Sequence, residues 1–223
     1  MERLNRWLAL SAAAVVLLTA VFYFWQGRER PASAETDSEE LTVALTFDDG
    51  PHPAYTSRLL DGLKERGVKA TFFLIGKSAE KYPELVQRMA EEGHLIGNHT
   101  YSHVQLSKCS VTGAMEEVVK TNTLLEDLTG ERMEYIRPPF GCWNNHLTDR
   151  LDMTEVLWDV DPLDWKVQNT ATVVNHILMN VKNNQIILLH DVYDTSVEAA
   201  FQVIDALQAR GYRFVTVDEL LVD

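Results

Sequence analysis

Short apolar runs alternate with longer stretches of helical periodicity from Leu41 onward. The short runs are typical of buried strands, and the longer stretches place apolar residues three or four positions apart, as on one face of a helix. Predicted strands cover 41–47, 70–75, 94–97, 133–136, 155–160, 185–189 and 212–215, and predicted helices cover 55–66, 78–92, 110–129, 145–151, 170–181 and 196–209.

This alternation of seven strands with six helices, with glycines at helix ends, predicts a parallel α/β sheet covered by helices. If the sheet closes, the fold is a distorted, incomplete (β/α) barrel of about seven β/α units. If it stays open, the fold is a doubly wound sheet.

Residues 7–25 contain no charged side chain and predict an N-terminal transmembrane helix. At about 1.5 Å per residue this segment nearly spans the ~30 Å hydrocarbon core of a bilayer. Aromatic residues stand at both ends, as in an interfacial belt. A cleaved signal peptide is the alternative, since Ala32-Ser33-Ala34 has the A-x-A pattern. Both interpretations indicate export.

The chain therefore divides into three parts. Residues 1–27 hold the cytoplasmic start and the anchor or signal, residues 28–40 are polar and predict a disordered tether, and residues 41–223 form the catalytic domain. The 223 residues suffice for one such domain. The formal net charge of -13 argues against nucleic acid as a partner.

Asp48 and Asp49 stand where the first predicted strand ends, directly before the turn residues Gly50 and Pro51. Adjacent acids in such a place repel each other and lose solvation, so they require a cation or hydrogen bonds. The pair indicates either a metal site or an Asp-Gly turn whose carboxylates cap backbone amides.

His99 and His103 are separated by four positions, which places both imidazoles on one face of a helical turn. Such a pair can hold one metal ion, and the acids on a neighbouring strand end strengthen that interpretation. Two histidines and one carboxylate leave coordination positions open, as in catalytic metal sites.

Other polar motifs also follow predicted strands. In a parallel α/β fold the carboxyl ends of the strands face one rim, where such folds carry their chemistry. We therefore expect these motifs to meet the acids and histidines at one mouth: Arg137-Pro-Pro-Phe-Gly141, Asp161 and Asp164 with Trp165, and His190-Asp191.

With Thr46-Phe-Asp-Asp-Gly-Pro51 and His99-x3-His103, the chain resembles the polysaccharide deacetylases, the NodB-like enzymes of carbohydrate esterase family 4. The resemblance covers about Leu41 to Leu221 and implies a distorted (β/α) barrel with fewer than eight regular units. Three more motifs match in order, namely Arg137-Pro-Pro-Phe-Gly141, Asp161-Pro-Leu-Asp164-Trp165 and Leu188-Leu189-His190.

The resemblance implies that Asp49, His99 and His103 bind one divalent ion. We expect Zn²⁺, with Co²⁺, Ni²⁺ or Mn²⁺ as alternatives. Asp48 matches the general base that takes a proton from water at the metal, and Arg137 matches the residue that holds this base. A metal ion brings the pKa of water toward neutrality, so a carboxylate suffices as the base.

The resemblance also implies that His190 is the general acid that protonates the departing amine. Asp164 matches the carboxylate that orients His190 and raises its pKa. The backbone N–H of Phe140 matches the oxyanion position. Leu189 and Trp165 match residues that line the acetyl pocket.

Pro139 and Trp143 are further candidates for substrate contact, because an exposed ring beside the Arg137 loop could stack on a sugar. The family usually has Tyr where this chain has Phe140, which puts a substrate hydrogen bond in doubt. Cys109 and Cys142 each follow a motif, and they form either a rim disulfide or two free thiols.

We expect a metal-dependent hydrolase that removes N-acetyl groups from N-acetylglucosamine units of a cell-wall glycan, foremost peptidoglycan. Chitooligosaccharide, poly-N-acetylglucosamine and O-acetyl xylan are alternative substrates. A two-His-one-carboxylate iron oxygenase is disfavoured because it explains neither Asp48 nor His190. A glycan-binding protein without activity also stays open. We further expect a monomer, anchored in the cell membrane through residues 7–25 with the domain outside, or secreted if that segment is cleaved.

Overall fold

The computed structural model describes residues 40–221. The predicted membrane segment and all but the last residue of the predicted tether lie outside this range. Within residues 40–221, every helix is too short or too polar to cross a bilayer.

Seven strands form at the predicted places and join one parallel sheet, although the fifth keeps only Glu155 of the predicted range 155–160. The sheet order is β5-β4-β3-β2-β1-β6, and β7 pairs with the first half of β1 on the side away from β6. The strands are β1 (Thr42–Asp48), β2 (Thr71–Leu74), β3 (Leu95–Asn98), β4 (Tyr135–Ile136), β5 (Thr154–Glu155), β6 (Gln185–His190) and β7 (Arg213–Val215).

The chain after β5 brings the two ends of this sheet together. The N–H of Val156 donates to Ile136 of β4, whereas Val160 forms a parallel bridge with Ile187 of β6. The sheet therefore curls into a half-barrel, and Asp159 and Val160 connect its two ends through hydrogen bonds with Ile186 and Leu188. This confirms the parallel α/β architecture with about seven strand-helix units.

Helices surround the sheet, and most of them pack on the core along its outer face. They are α1 (Tyr55–Glu65), α2 (Gly76–Lys81), α3 (Pro83–Glu91), α4 (Val111–Thr129), α5 (Asp164–Val167), α6 (Thr170–Asn180), α7 (Asp194–Ala209) and α8 (Val217–Leu221). Gly130, in the left-handed conformation at φ 74°, ends α4 as the sequence predicted.

The sequence was wrong about two helices. The single helix predicted over 78–92 is split, because Pro83 lacks the N–H that would continue α2 and instead begins α3. The helix predicted near 145–151 is a 3₁₀ turn of three residues, Asn145–Leu147. Two further 3₁₀ turns are Leu106–Lys108 and Pro139–Gly141.

Alternation along the strands separates an outer core from an inner face. Val43, Leu45 and Phe47 of β1 are fully buried in the main core under the helices. Ala44 belongs to the cluster on the other face, which also holds Val156 and Phe73. Since strand side chains alternate, the residues of β1 that share the inner face with Ala44 are the even-numbered ones.

Candidate active site

The inner face of β1 carries a buried cation and carboxylate pair. Arg137, which is 0% exposed, donates from Nη1 to Asp48 Oδ1 at 2.8 Å and to Thr46 Oγ1 at 2.8 Å. Asp48 is also buried, at 3% exposure. Because Thr46 and Asp48 are two positions apart on one strand, a single guanidinium can bridge them.

The rest of the Arg137 guanidinium is held by the segment that closes the barrel. Nε donates to the carbonyl of Val156 at 3.1 Å, and Nη2 donates to that of Leu157 at 2.9 Å. The guanidinium lies 4.2 Å from the ring centroid of Phe73. Burial lowers the pKa of Arg137, while the adjacent Asp48 raises it. Arg137 thus fixes the position of Asp48 with almost no freedom.

Asp49, His99 and His103 form a group that could hold a metal ion. Their ligand atoms all lie within 4.8 Å of one another. Asp49 Oδ1 is 3.5 Å from His99 Nε2 and 3.3 Å from His103 Nε2. This oxygen is buried and has no hydrogen-bond partner. A carboxylate oxygen left without a partner between two imidazole nitrogens fits a divalent cation.

Backbone contacts orient the first histidine. His99 Nδ1 lies 2.7 Å from the carbonyl of Arg137, which accepts its proton and leaves the Nε2 lone pair toward Asp49. Arg137 therefore serves both halves of the site, through its guanidinium on Asp48 and its carbonyl on His99.

The loop between the histidines is not the helical turn that the spacing predicted. Thr100 and His103 are left-handed, at φ 63° and 57°, and no described helix includes residues 99–103. The loop is fixed by two hydrogen bonds: Thr100 N–H donates to Asn98 Oδ1 at the end of β3, and Ser102 N–H donates to Glu117 Oε2 of α4. The two imidazoles still converge, with ring centroids 5.0 Å apart.

The ionisation of these groups suits a metal ligand set. Burial alone would raise the pKa of Asp49, but the adjacent imidazole of His99 with the charges of His190 and His103 brings it below its usual value. Burial and the nearby His99 lower the pKa of His103, against the opposing charge of Asp49. An ionised carboxylate beside a neutral imidazole is the form that binds a divalent ion.

His190 closes the opposite side of the site. Asp164 Oδ1 lies 2.8 Å from His190 Nδ1, and Asp164 Oδ2 accepts the backbone N–H of the same residue at 2.8 Å. Burial would lower the pKa of His190, but Asp164, with the charges of Asp48 and Asp49, raises it to about 9. The imidazole is therefore protonated at neutral pH and can donate a proton.

These groups line one cavity of about 340 Å³. Of the four predicted substrate-contact residues, Trp165 alone lines it, and Phe140, whose backbone N–H was the predicted oxyanion donor, lines it too. Sequence reasoning did not select several other lining residues, namely Trp158, Leu163, Leu188 and Tyr193, and it named Asp161 without a role.

Leu189 does not line the cavity and is fully buried in the outer core. Leu188 lines the cavity instead, because it lies two residues before His190 and so shares its face of β6. Counting back by two from His190 would have identified it. Pro139 is buried, and Trp143 packs on the cluster around Leu106 with Nε1 donating to Thr148, so neither belongs to the cavity lining.

Phe140 has an unusual backbone. Its φ is 63° and its ψ is 13°, a left-handed conformation that is rare for a bulky residue. Its side chain is 65% exposed, and its ring meets His103 edge-on with centroids 4.9 Å apart. Strain of this kind is concentrated at functional sites. Cys142, two residues further along the chain, and Cys109 are free thiols.

Asp191, directly after His190, is a buried acid to which the sequence assigned no role. It is 0% exposed, and Thr56 Oγ1 donates to its Oδ2. Burial raises the pKa of Asp191 to about 7. Its Oδ1 is buried without a hydrogen-bond partner.

Comparison with known proteins agrees with this geometry. The sequence profile of the polysaccharide deacetylase family matches residues 35–156. A peptidoglycan-N-acetylmuramic acid deacetylase of Bacillus subtilis, PdaC, is 41% identical over 190 residues, which cover 85% of this chain and 41% of that protein. The chain thus spans about two fifths of the length of this relative.

A peptidoglycan-N-acetylglucosamine deacetylase of Bacillus cereus is 42% identical over 185 residues, which cover 80% of this chain and 67% of that protein. The solved structure of the B. subtilis PdaC superimposes with a TM-score of 0.80 and 42% identity, over 82% of this chain and 90% of that one. Fold and sequence therefore point to the same group of proteins.

Proposed function

The chain belongs to the polysaccharide deacetylase family, and on that premise we propose that it removes N-acetyl groups from N-acetylglucosamine units of peptidoglycan. One observation carries the proposal. An arginine-held carboxylate, a possible metal triad and a carboxylate-held imidazolium all line one cavity.

Hydrolysis of the acetamide consumes one water and yields acetate and a free amine. Asp48 takes a proton from the attacking water, since Arg137 fixes its Oδ1 and leaves Oδ2 directed to the metal triad, 3.8 Å from His99 Nε2. His190 gives its proton to the departing nitrogen, because an amide anion is too poor a leaving group. Asp164 holds His190 in the protonated form.

Asp49, His99 and His103 would hold the metal ion. When bound, a divalent ion polarises the acetyl carbonyl and acidifies water. We propose Zn²⁺, because two imidazoles and one carboxylate are a common catalytic zinc set, with Co²⁺, Ni²⁺ and Mn²⁺ as alternatives.

Two chemical features favour N-acetylglucosamine over N-acetylmuramic acid as the reacting sugar. Muramic acid carries an additional lactyl carboxylate, whereas the cavity includes Asp161 and the chain has a formal net charge of -13. Repulsion between like charges disfavours the acidic sugar. The acetyl methyl would contact Leu188 and Trp165, which are apolar residues of the cavity lining near His190 and Asp164 in sequence.

We propose that residues 7–25 anchor the protein in the cell membrane with the domain outside, near the cell wall. Support comes from the uncharged, aromatic-flanked sequence of that segment. Mass spectrometry of the protein from its native host should find an N-terminus at or near Met1. An N-terminus at Glu35 would instead identify a secreted protein.

Acetate release tests the proposed activity. The metal-loaded protein is incubated with peptidoglycan, chitooligosaccharide, poly-N-acetylglucosamine and O-acetyl xylan, with the Asp48→Asn variant as the control. We expect release from peptidoglycan, with free amines appearing on glucosamine. Acetate release from only one of the other polymers would show that polymer, and not peptidoglycan, to be the substrate. Glycan binding without acetate release from any of the four polymers would establish a non-catalytic binding protein.

A further inference from the structure

Asp191 is a buried acid that lies beside the active site without taking part in the chemistry proposed above. It immediately follows His190, at the point where β6 ends. Burying a carboxyl group is costly unless hydrogen bonds compensate, and one of its two oxygens has no partner. Because burying the Asp191 carboxyl group in this way costs folding free energy, we expect this group to provide contacts that its neighbours need.

The partner of Asp191 connects it to the loop that follows Asp49. Thr56, which is fully buried in the first turn of α1, donates its hydroxyl proton to Asp191 Oδ2. The same hydroxyl oxygen accepts the backbone N–H of His52 at 2.7 Å. Residues 49–53, the Asp49 loop, are therefore linked through Thr56 to the end of β6.

Gly50 brings the Asp49 loop into direct contact with Asp191. A Cβ atom built on Gly50 would overlap Oδ1, Oδ2 and Cγ of Asp191, so the carboxyl group occupies the space that a side chain at position 50 would take. Gly50 is not left-handed. Glycine is therefore required at position 50 for steric reasons, because the carboxyl group of Asp191 leaves no room for a Cβ atom.

We propose that Asp191 is a positioning residue that holds the Asp49 loop, and with it the metal ligand Asp49, through contact with Gly50 and the hydrogen bond from Thr56. The proposal rests on the proposed function only in taking Asp49 as a metal ligand. Asp49 itself is left-handed at φ 75°, so its carboxylate direction depends on how the following residues are held.

The first test measures Zn²⁺ affinity of the full-length chain in mild detergent by competition with a chromophoric chelator. We expect Asp191→Ala to weaken Zn²⁺ binding at least about 10-fold, the range typical when a residue supporting a ligand is lost. Asp191→Asn keeps the shape and an acceptor for Thr56, and we expect it to stay within about 3-fold of wild type. Wild-type affinity in a folded Asp191→Ala protein would overturn the proposal.

Thr56→Val tests the hydrogen-bonded path separately. It removes the hydroxyl with little change of shape, whereas Thr56→Ser keeps the hydroxyl and should restore Zn²⁺ affinity. Thr42→Val is the matched control, since Thr42 donates to Asn184 at the opposite end of β1 and is also buried. Equal thermal destabilisation of Thr56→Val and Thr42→Val, with unchanged Zn²⁺ affinity in both, would show a merely structural hydroxyl.

A suppressor experiment isolates the contact at Gly50. We expect Gly50→Ala to weaken Zn²⁺ binding, because its Cβ displaces the loop, and Asp191→Ala in the same chain to recover part of the loss. The double variant binding Zn²⁺ no better than Gly50→Ala would contradict the contact. These readouts differ from the test of function, because a wild-type chain that binds Zn²⁺ without releasing acetate would refute the proposed activity alone.

Discussion

Replacing Asp164 by Asn should shift the pH dependence of the reaction toward lower pH. His190 must be protonated to act as the acid, so kcat/KM falls as pH rises through its pKa. In the structure that pKa is raised from 6.5 to about 9 against the effect of burial, and Asp164 is the largest favourable contribution. The difference corresponds to about 3 kcal/mol in favour of imidazolium.

The Asp164→Asn substitution would remove the charge while burial continues to lower the pKa of His190. The pKa should therefore fall to about its ordinary value or below, and the alkaline limb of kcat/KM should move by at least about two pH units. A bound cation offsets the charges of Asp48 and Asp49 in wild type and variant alike. When both proteins are measured with the metal site saturated, the cation therefore affects both pKa values equally and does not change the difference between wild type and variant.

The assay is acetate release as kcat/KM from pH 5 to 10 for wild type, Asp164→Asn and a control, Asp161→Asn. Asp161 is another carboxylate at the cavity, but it accepts a hydrogen bond from Leu163 N–H and is not among the main causes of the raised pKa of His190. The control should therefore leave the alkaline limb in place. An active Asp164→Asn enzyme with an unshifted alkaline limb would refute the role assigned to His190.

The remaining predictions concern Asp49, the neighbours Leu188 and Leu189, Arg137 and His190. Asp49→Ala should abolish stoichiometric Zn²⁺ binding, measured by elemental analysis after gel filtration. Leu188→Ala should lower kcat/KM by about 10-fold, because the acetyl group loses an apolar contact. Leu189→Ala should leave the kcat/KM of the folded protein unchanged. Denaturant titrations should show that Leu189→Ala lowers the unfolding free energy by about 2–5 kcal/mol. Arg137→Met should cost about 3–5 kcal/mol, because it leaves a buried carboxylate without its partner. In the metal-free protein, the stabilisation from His190, full below pH 6.5, should be lost as pH rises through about 9, which melting temperatures across pH can measure.

The sequence alone determined the strands, their parallel arrangement and the rim that carries the chemistry. Asp48, His99, Arg137 and His190 could be located because each follows an apolar run, and parallel strands deliver their carboxyl ends to the same edge. Hydrophobic periodicity is a local property, so it survives in the sequence without knowledge of what packs against it.

Only the tertiary structure decided which face each residue takes and how the loops between motifs run. The sequence predicted Leu189 in the acetyl pocket, but Leu188 lines the cavity. This is an error of one position, and neighbouring residues of a strand point to opposite faces. The loop that carries His103 depends on the hydrogen bond that Ser102 N–H donates to Glu117 Oε2, and the need for glycine at position 50 depends on Asp191, far away in sequence. Such contacts between distant segments have no local pattern, because they exist only once the segments are packed together.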